Sequence, residues 1–391
     1  MKVKQYHWHH FFGGIALLLL IVQLLSGSVL TMFYSPHLNE AYASVQYIYN
    51  ELAALAWVRD THRWAAFFLT LAVIMHFIRS FLRKDYQVRE TKTLWLTGML
   101  LFLPLLGFLL TGFILPWEWR GYWFMEMVPN YANEIPLIGP ALSQFLLDAF
   151  TLNRALMLHV IILPIITLVL MDIHTLSKIK RRAGGLFLYV REHGILATPF
   201  LLIIAVLAYA LPMPTQDPAI IPMPLEGERI PMAEWFILIF WVPYLYFKGF
   251  MAPLLGLYIP LVIFLVLTLF PYFIKTQSNM TGDKTWREPH FPRKRKILIR
   301  ILSPLRRLMS ERALMKTVGA VSVFLVTMAL FVPMYTVTYA SPTMGCNSCH
   351  NISAGIRMGI PPPTFKDREI NPNLKDNTFM TEHWFYPQVV W

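Results

Sequence analysis

Charge is scarce in this sequence. Of 391 residues only 14% are Asp, Glu, Lys or Arg, against roughly 25% in an ordinary soluble domain, which excludes a soluble enzyme. Cysteine is scarcer still. The two present, Cys346 and Cys349, stand three positions apart and cannot build a disulfide framework. Acidic residues number 22 against 34 Lys and Arg, a formal charge of +12. What the chain does have is apolar residues, 56% of the total, with a mean hydropathy of +0.49. They are gathered into long blocks, and 28 prolines exclude one uninterrupted bundle of ideal helices.

A hydrocarbon core of about 30 Å takes about 20 apolar residues in a helix. Seven stretches meet that length, at about 12–33, 62–82, 95–116, 155–176, 195–212, 252–274 and 317–339. An eighth run, 237–247, is interrupted by Pro243 and followed by Lys248, so it reads as an interfacial or re-entrant helix. The start Met1-Lys2-Val3-Lys4 is like that of a signal peptide, but the first apolar run is too long and no A-x-A-like site closes it. It is read as a retained span. With the N-terminus in the cytoplasm, segments 1–12, 77–94, 175–194 and 275–316 hold 24 of the 34 Lys and Arg residues, as the positive-inside rule asks. Counting 237–247 as a span would place the twelve charges of 275–316 outside. Seven spans therefore win, and the tail from Ser341 lies outside. The run Arg293-Lys294-Arg295-Lys296 is then a topology and anionic-lipid feature, and no nucleic-acid partner is expected. The expected fold is an all-α integral membrane protein with seven transmembrane helices.

Ionisable residues inside spans are functional candidates. The second span carries His62 and His76, 14 apart, and the fourth carries His159 and His174, 15 apart. At about 100° per residue, 14 steps return to within about 40° of the start and 15 to within about 60°, so each pair shares a face. Facing one another, the helices give two bis-histidine sites, His62 with His159 outside and His76 with His174 inside. With no Cys, Asp or Glu partner for the paired imidazoles at matching depth, such a cage suits six-coordinate haem iron better than zinc. Glycine repeats the period: Gly13 and Gly27 in the first span, Gly98 and Gly112 in the third, are also 14 apart. Lacking a Cβ, each lets a flat ring approach the backbone. Small residues at helix contacts are the ordinary alternative, but the shared period favours haem contact.

These residues lead to a family. The first four spans resemble cytochrome b of quinol–cytochrome c and plastoquinol–plastocyanin reductases. The matches include Gly13-Gly14 with Gln23 and Ser26-Gly27, Arg59 before His62 and Arg79 after His76. They continue with Gly112-Phe113-Ile114-Leu115-Pro116-Trp117, Ile135-Pro136-Leu137-Ile138-Gly139, and Arg154 before His159. The resemblance implies haem-propionate contacts for Arg59, Arg79 and Arg154. The spacing of 15 and the Gly-Gly pair are similar to the chloroplast and cyanobacterial branch. That branch carries an extra covalent haem through a cysteine two residues before the glycines; here Phe11 stands there, and no such haem is expected.

The last three spans resemble the three-helix subunit of that branch. Its Pro-Glu-Trp-Tyr motif is matched in part by Ala233-Glu234-Trp235-Phe236, which follows the proline-rich loop 212–232 and precedes a short apolar helix. The resemblance places quinol beside Glu234, Trp235 and Phe236. A carboxylate there can accept a hydrogen bond from the quinol hydroxyl and carry a proton outward. Asp172, two residues before His174, either serves quinone protonation at the inner site or pairs with Lys178 or Lys180. The cluster His7-Trp8-His9-His10 reads as an interfacial anchor, with an inner-site proton role as the alternative.

Cys346-Asn347-Ser348-Cys349-His350 is C-x-x-C-H, the c-type haem attachment motif. Two thioethers would hold the porphyrin, and His350 would be the proximal ligand. Residues 341–391 are too few for a well-buried independent core. Sixth-ligand candidates are His383, Met358 and Met380, with His383 favoured. The organisation expected is a four-helix di-haem core over 1–185, a three-helix part with the quinol loop over 186–340, and an external c-haem segment over 341–391.

The resemblance then implies the quinol-oxidising cytochrome b subunit of a bacterial cytochrome bc complex, a quinol:cytochrome c oxidoreductase that translocates protons. Its cofactors would be two non-covalent b-type haems and one covalent c-type haem. Its partners would be a Rieske-type iron–sulfur protein, c-type cytochromes, quinone, membrane lipid and a second copy, in the bacterial cytoplasmic membrane. Two alternatives stand beside it: a di-haem quinone-reactive anchor of another respiratory complex, and a transporter whose histidines relay protons.

Overall fold

A computed structural model describes residues 12–274 apart from 83, 88–90, 119–120, 122–124, 126–127, 130, 181–184, 213–214, 216–239, 241–242 and 244–249. Described residues form helices joined by turns, with no strand among them. In chain order they are α1 (Phe12–Thr31), α2 (Ala41–Asn50), α3 (Ala53–Leu82), α4 (Lys92–Ile114), α5 (Gly139–Asp148), α6 (Leu152–Leu176), α7 (Gly185–Ala210) and α8 (Leu254–Phe273).

Five of these, α1, α3, α4, α6 and α8, are long and apolar enough to cross a membrane. The expected fifth span maps to α7, whose uniformly apolar stretch is only Ala197–Ala210. The helix starts 12 residues earlier, at Gly185, with Arg191 and His193 on its first half. The expected seventh span, 317–339, lies outside the described residues, as does the tail. The second span also begins earlier than hydropathy suggests. Helix α3 runs for 30 residues, and its first turns carry Arg59 and Asp60, which an apolar window rejects. Their guanidinium and carboxylate pair at 3.0 Å inside the fold, with side chains 7% and 3% exposed.

Proline shapes the helix interiors. Pro104 has no N–H for the carbonyl of Leu100, and α4 is interrupted at Leu101, between Lys92–Leu100 and Phe102–Ile114. In α6 the segment Leu158–Ile162 is a π turn that ends two residues before Pro164. In α8 the π turn Leu254–Tyr258 likewise ends two residues before Pro260. The start of α6 is capped by Thr151, whose hydroxyl accepts the Arg154 N–H at 3.4 Å.

Helix α1 lies along α3, and α7 packs on both. Their shared core holds Ile15, Leu18, Leu19, Trp64, Phe68 and Ile204. Indole N–H groups fasten α7 to α3: Trp57 donates to the Ala205 carbonyl and Trp64 to that of Leu211, each at 3.1 Å. Helix α4 lies along α6 and α8, and Trp95 donates to the Leu267 carbonyl at 2.8 Å. A third cluster closes one end of the bundle, with Phe113, Trp117, Met125, Phe150 and Leu152 buried together. Trp117 has φ +46°, a left-handed conformation costly for a bulky residue. Packing of its almost fully buried indole (1% exposed) holds it there, and α4 ends. Leu202, Val206, Ile165, Val169 and Val262 stay exposed on the outward faces, the apolar surface that a bilayer would cover.

Candidate haem site

The sequence predicts two histidine pairs, and the structure brings both together. The rings of His62 and His159 have centroids 6.3 Å apart, and so do those of His76 and His174. One member of each pair comes from α3 and the other from α6. These two helices belong to different halves of the bundle, α3 backed by α1 and α6 backed by α4.

The unequal spacing, 14 on α3 and 15 on α6, has a local cause. His159 lies in the π turn Leu158–Ile162, and His174 lies in a second one, Asp172–Leu176. A π turn bonds i to i+5 and accommodates an extra residue within a helix. The longer interval on α6 therefore still places both imidazoles opposite those of α3. The 60° offset expected from regular helical geometry is absorbed by this local widening.

Each of the four glycines supports one histidine. A Cβ added at Gly27 would meet the Cε1 of His62 at 3.2 Å, and one at Gly13 the Cε1 of His76 at 3.1 Å. At Gly112 it would meet the Cε1 of His159, and at Gly98 that of His174, both at 3.0 Å. The flat ring admitted by each missing Cβ is thus the imidazole itself, and the glycines set how far each ring sits from its neighbouring helix.

Hydroxyls immediately before three of these glycines hold the rings. Ser26 Oγ lies 2.8 Å from His62 Nδ1, Thr111 Oγ1 2.8 Å from His159 Nδ1, and Thr97 Oγ1 3.1 Å from His174 Nδ1. Gln23 adds a bond from its amide to the His62 carbonyl at 2.7 Å. Among the described residues no group of three or more His, Cys, Asp or Glu side chains is placed to hold a metal ion. Each pair thus offers two protein ligands to a metal.

The family model Cytochrome b/b6/petB matches residues 2–182, which contain all four histidines and all four glycines. Cytochrome b6 of Tupiella akineta is 34% identical over 178 residues, covering 44% of this chain and 82% of that protein. The chain belongs to the cytochrome b/b6 family. A solved structure, "Hyperthermophilic respiratory Complex III", shares the fold with a TM-score of 0.55 at 22% identity, over 70% of this chain and 78% of that one.

Family membership implies b-type haem, and the residues of this cytochrome b fit it. An imidazole nitrogen binds a metal at about 2.0–2.1 Å and its ring centre lies about 1.1 Å further, so two rings flanking one ion have centres about 6.2–6.4 Å apart. Both pairs stand at that separation. Two imidazoles at that separation would hold an iron whose remaining positions a macrocycle would supply.

The other expected site residues divide into three groups. Arg59 is buried, bonded to Asp60, with its guanidinium 5.4 Å from the centre of the Tyr49 ring. Arg79 lies in the last turn of α3. Arg154 is exposed and donates to the Ala149 carbonyl. Asp172 pairs with Lys180 at 2.9 Å on an exposed surface, one of the two partners expected for it. Glu234, Trp235, Phe236, the His7-His10 cluster, Phe11, Cys346, Cys349, His350, Met358, Met380 and His383 all lie outside the described residues.

Sequence reasoning passed over several contributors. Thr97 and Thr111 are polar residues in apolar helices, and their position before the spaced glycines was the available signal. Arg63 and Glu118 form an ion pair at 3.7 Å, Glu118 being 1% exposed. Nothing in their spacing, 55 positions apart in sequence, announces that contact. Tyr34 donates to the Leu115 carbonyl and Tyr131 to that of Gly256, both at 2.6 Å. Burial pushes both phenols above their ordinary range, which keeps them neutral donors.

Proposed function

We propose that this cytochrome b is the quinol-oxidising subunit of a bacterial cytochrome bc complex, with two b-type haems and one c-type haem. The observation that carries the reading is the pair of matched imidazole sites, each 6.3 Å between ring centres. His62 and His159 would hold the outer b-haem, His76 and His174 the inner one. Gly13, Gly27, Gly98 and Gly112 keep the rings at their distance. Arg59, Arg79 and Arg154 would meet the propionates.

When bound, b-type haem supplies one-electron redox chemistry at two depths of the membrane. The chain's own residues do the rest. Glu234 accepts a proton from a quinol hydroxyl at the outer edge, with Trp235 and Phe236 as the neighbouring quinol-binding residues. Oxidising a quinol to a quinone releases two electrons and two protons. One electron goes to a Rieske-type iron–sulfur partner, and the other crosses toward a quinone on the cytoplasmic side. Release of the protons outside couples the reaction to proton translocation. Cys346 and Cys349 would form the thioethers of the c-haem, with His350 as proximal ligand and His383 as the sixth. The subunit works as part of a homodimeric complex in the bacterial cytoplasmic membrane.

Isolation of the intact complex with haem quantification tests this reading. The expected result is two b-haems per c-haem, together with a Rieske-type protein and quinol:cytochrome c reductase activity. A haem-free spectrum would leave a proton-relaying transporter. Two b-haems without a Rieske-type protein would leave a quinone-reactive anchor of another complex.

A further inference from the structure

We propose that Ser26, Thr97 and Thr111 are positioning residues that fix the tautomer of three of the four paired histidines, and that His76, among the described residues, lacks this lock. The inference rests on the haem ligation put forward above.

A hydroxyl carries a single proton. Ser26 Oγ gives its own to the Val22 carbonyl at 2.6 Å, Thr97 Oγ1 to that of Thr93 at 2.7 Å, and Thr111 Oγ1 to that of Gly107 at 2.7 Å. With the proton spent on the helix backbone, each hydroxyl can only accept from the imidazole beside it. Nδ1 of His62, His174 and His159 must then be the N–H donor, at 2.8, 3.1 and 2.8 Å. In a neutral imidazole that leaves Nε2 bare, as a metal ligand requires. The helix i−4 bond and the hydroxyl–imidazole bond are therefore one device: the first decides the direction of the second.

The fourth position breaks the pattern. Ser26-Gly27, Thr97-Gly98 and Thr111-Gly112 each place a hydroxyl before the glycine that faces the ring, but Phe12 precedes Gly13. Among the described residues, His76 Nδ1 is correspondingly buried with no hydrogen-bond partner. The two sites thus differ: His62 and His159 are both held, whereas the other pair is held only through His174. A hydrogen bond from the distal ring nitrogen raises ligand basicity, and a more basic ligand favours ferric over ferrous iron. Loss of a hydroxyl therefore raises the potential of the haem it serves and leaves the other unchanged.

The test uses the full chain in its native complex, with Thr111→Val and Thr111→Ser compared by optical redox titration of the two b-haems. Thr111→Val, which keeps the branched shape, is expected to raise the midpoint potential of the His62–His159 haem only. Thr111→Ser is expected to restore it. Loss of that haem in the Val variant but not in the Ser variant also supports the role of the hydroxyl. An unchanged midpoint in Thr111→Val, a shift equal in both haems, or loss of haem from both variants would overturn the inference. A wild-type complex without b-haem would instead overturn the ligation reading, and the wild-type spectrum alone shows that.

Discussion

Gly112 and His159 touch across the gap between α4 and α6, with the imidazole Cε1 only 3.0 Å from where a Cβ would stand. This contact makes the glycine a spacer for the ring. A larger side chain at this point has nowhere to go except into the imidazole. Its movement would carry His159 off its line with His62, whose ring centre is 6.3 Å away.

Gly112→Val is therefore expected to lower occupancy of the haem proposed for His62 and His159 and spare the one proposed for His76 and His174. Gly98→Val should do the reverse, since its Cβ would meet His174 at 3.0 Å. Gly107 provides the control. A Cβ there would meet Leu163 side-chain atoms at 3.0 and 3.1 Å, a flexible aliphatic contact with no histidine in it. Gly107→Val should keep both haems. Difference spectra of the three purified variants check this, and equal loss of both haems in all three would assign the glycines to general helix packing.

Much of this site was legible in the sequence because histidine and glycine are costly or unusual in an apolar helix, so their period stands out. The pairing of His62 with His159 follows from that period together with the span order, which runs the second and fourth spans in the same direction. The rest depended on backbone detail. The spacing of 15 on α6 fits because of π turns at His159 and His174, and a hydropathy pattern carries no mark of a turn's bonding. Boundaries were lost wherever charge enters a helix: Arg59 and Asp60 neutralise each other inside α3, and Arg191 lies on α7. Helices α2 and α5 are short and lie between spans, where no apolar run of membrane length announces them. The Arg63–Glu118 pair is a tertiary contact, visible only once the chain is folded.

Tyr34 gives a prediction about alkaline stability. Its hydroxyl donates to the Leu115 carbonyl, and burial raises its pKa above the ordinary value. A group whose folded pKa is raised contributes stability that is whole below the unfolded value, about 10 for tyrosine, and is lost as pH climbs toward the folded one. Thermal stability of the wild type should accordingly fall above pH 10. In Tyr34→Phe the fall should be shallower, from a starting point lower by about 1 kcal/mol for the lost bond. Melting temperatures from pH 8 to 11 check both parts. Identical slopes for the two proteins would show that Tyr34 does not contribute.

The topology offers a separate prediction, from the 24 of 34 Lys and Arg residues that fall in the expected inside segments. A reporter active only in the cytoplasm, fused after Trp391, should be silent. The same reporter fused within 275–316, where twelve of those charges lie, should be active. An active fusion at Trp391 would remove both the seventh span and the external c-haem, because covalent attachment was placed outside the cytoplasmic membrane.

The last prediction concerns Glu234, a carboxylate directly before two aromatic residues, Trp235 and Phe236, and between two apolar stretches of the sequence. Glu234→Gln keeps the size of the side chain and its carbonyl acceptor but removes the proton-accepting oxygen. If Glu234 takes the quinol proton, the loss belongs to general acid–base catalysis, roughly 10²–10⁴-fold at most, and is smaller where water substitutes. Haem content should be unaffected, and both b-haems should remain reducible by a chemical reductant, because no imidazole is touched. The competing account is structural: a carboxylate at the start of the short run 237–247 favours a helix N-terminus by about 0.3–1 kcal/mol. On that account Gln lowers thermal stability slightly and leaves turnover alone. Steady-state quinol:cytochrome c reduction, normalised to b-haem, separates the two. Turnover of Glu234→Gln within about twofold of wild type, far inside the range of a lost general base, would take Glu234 out of the mechanism.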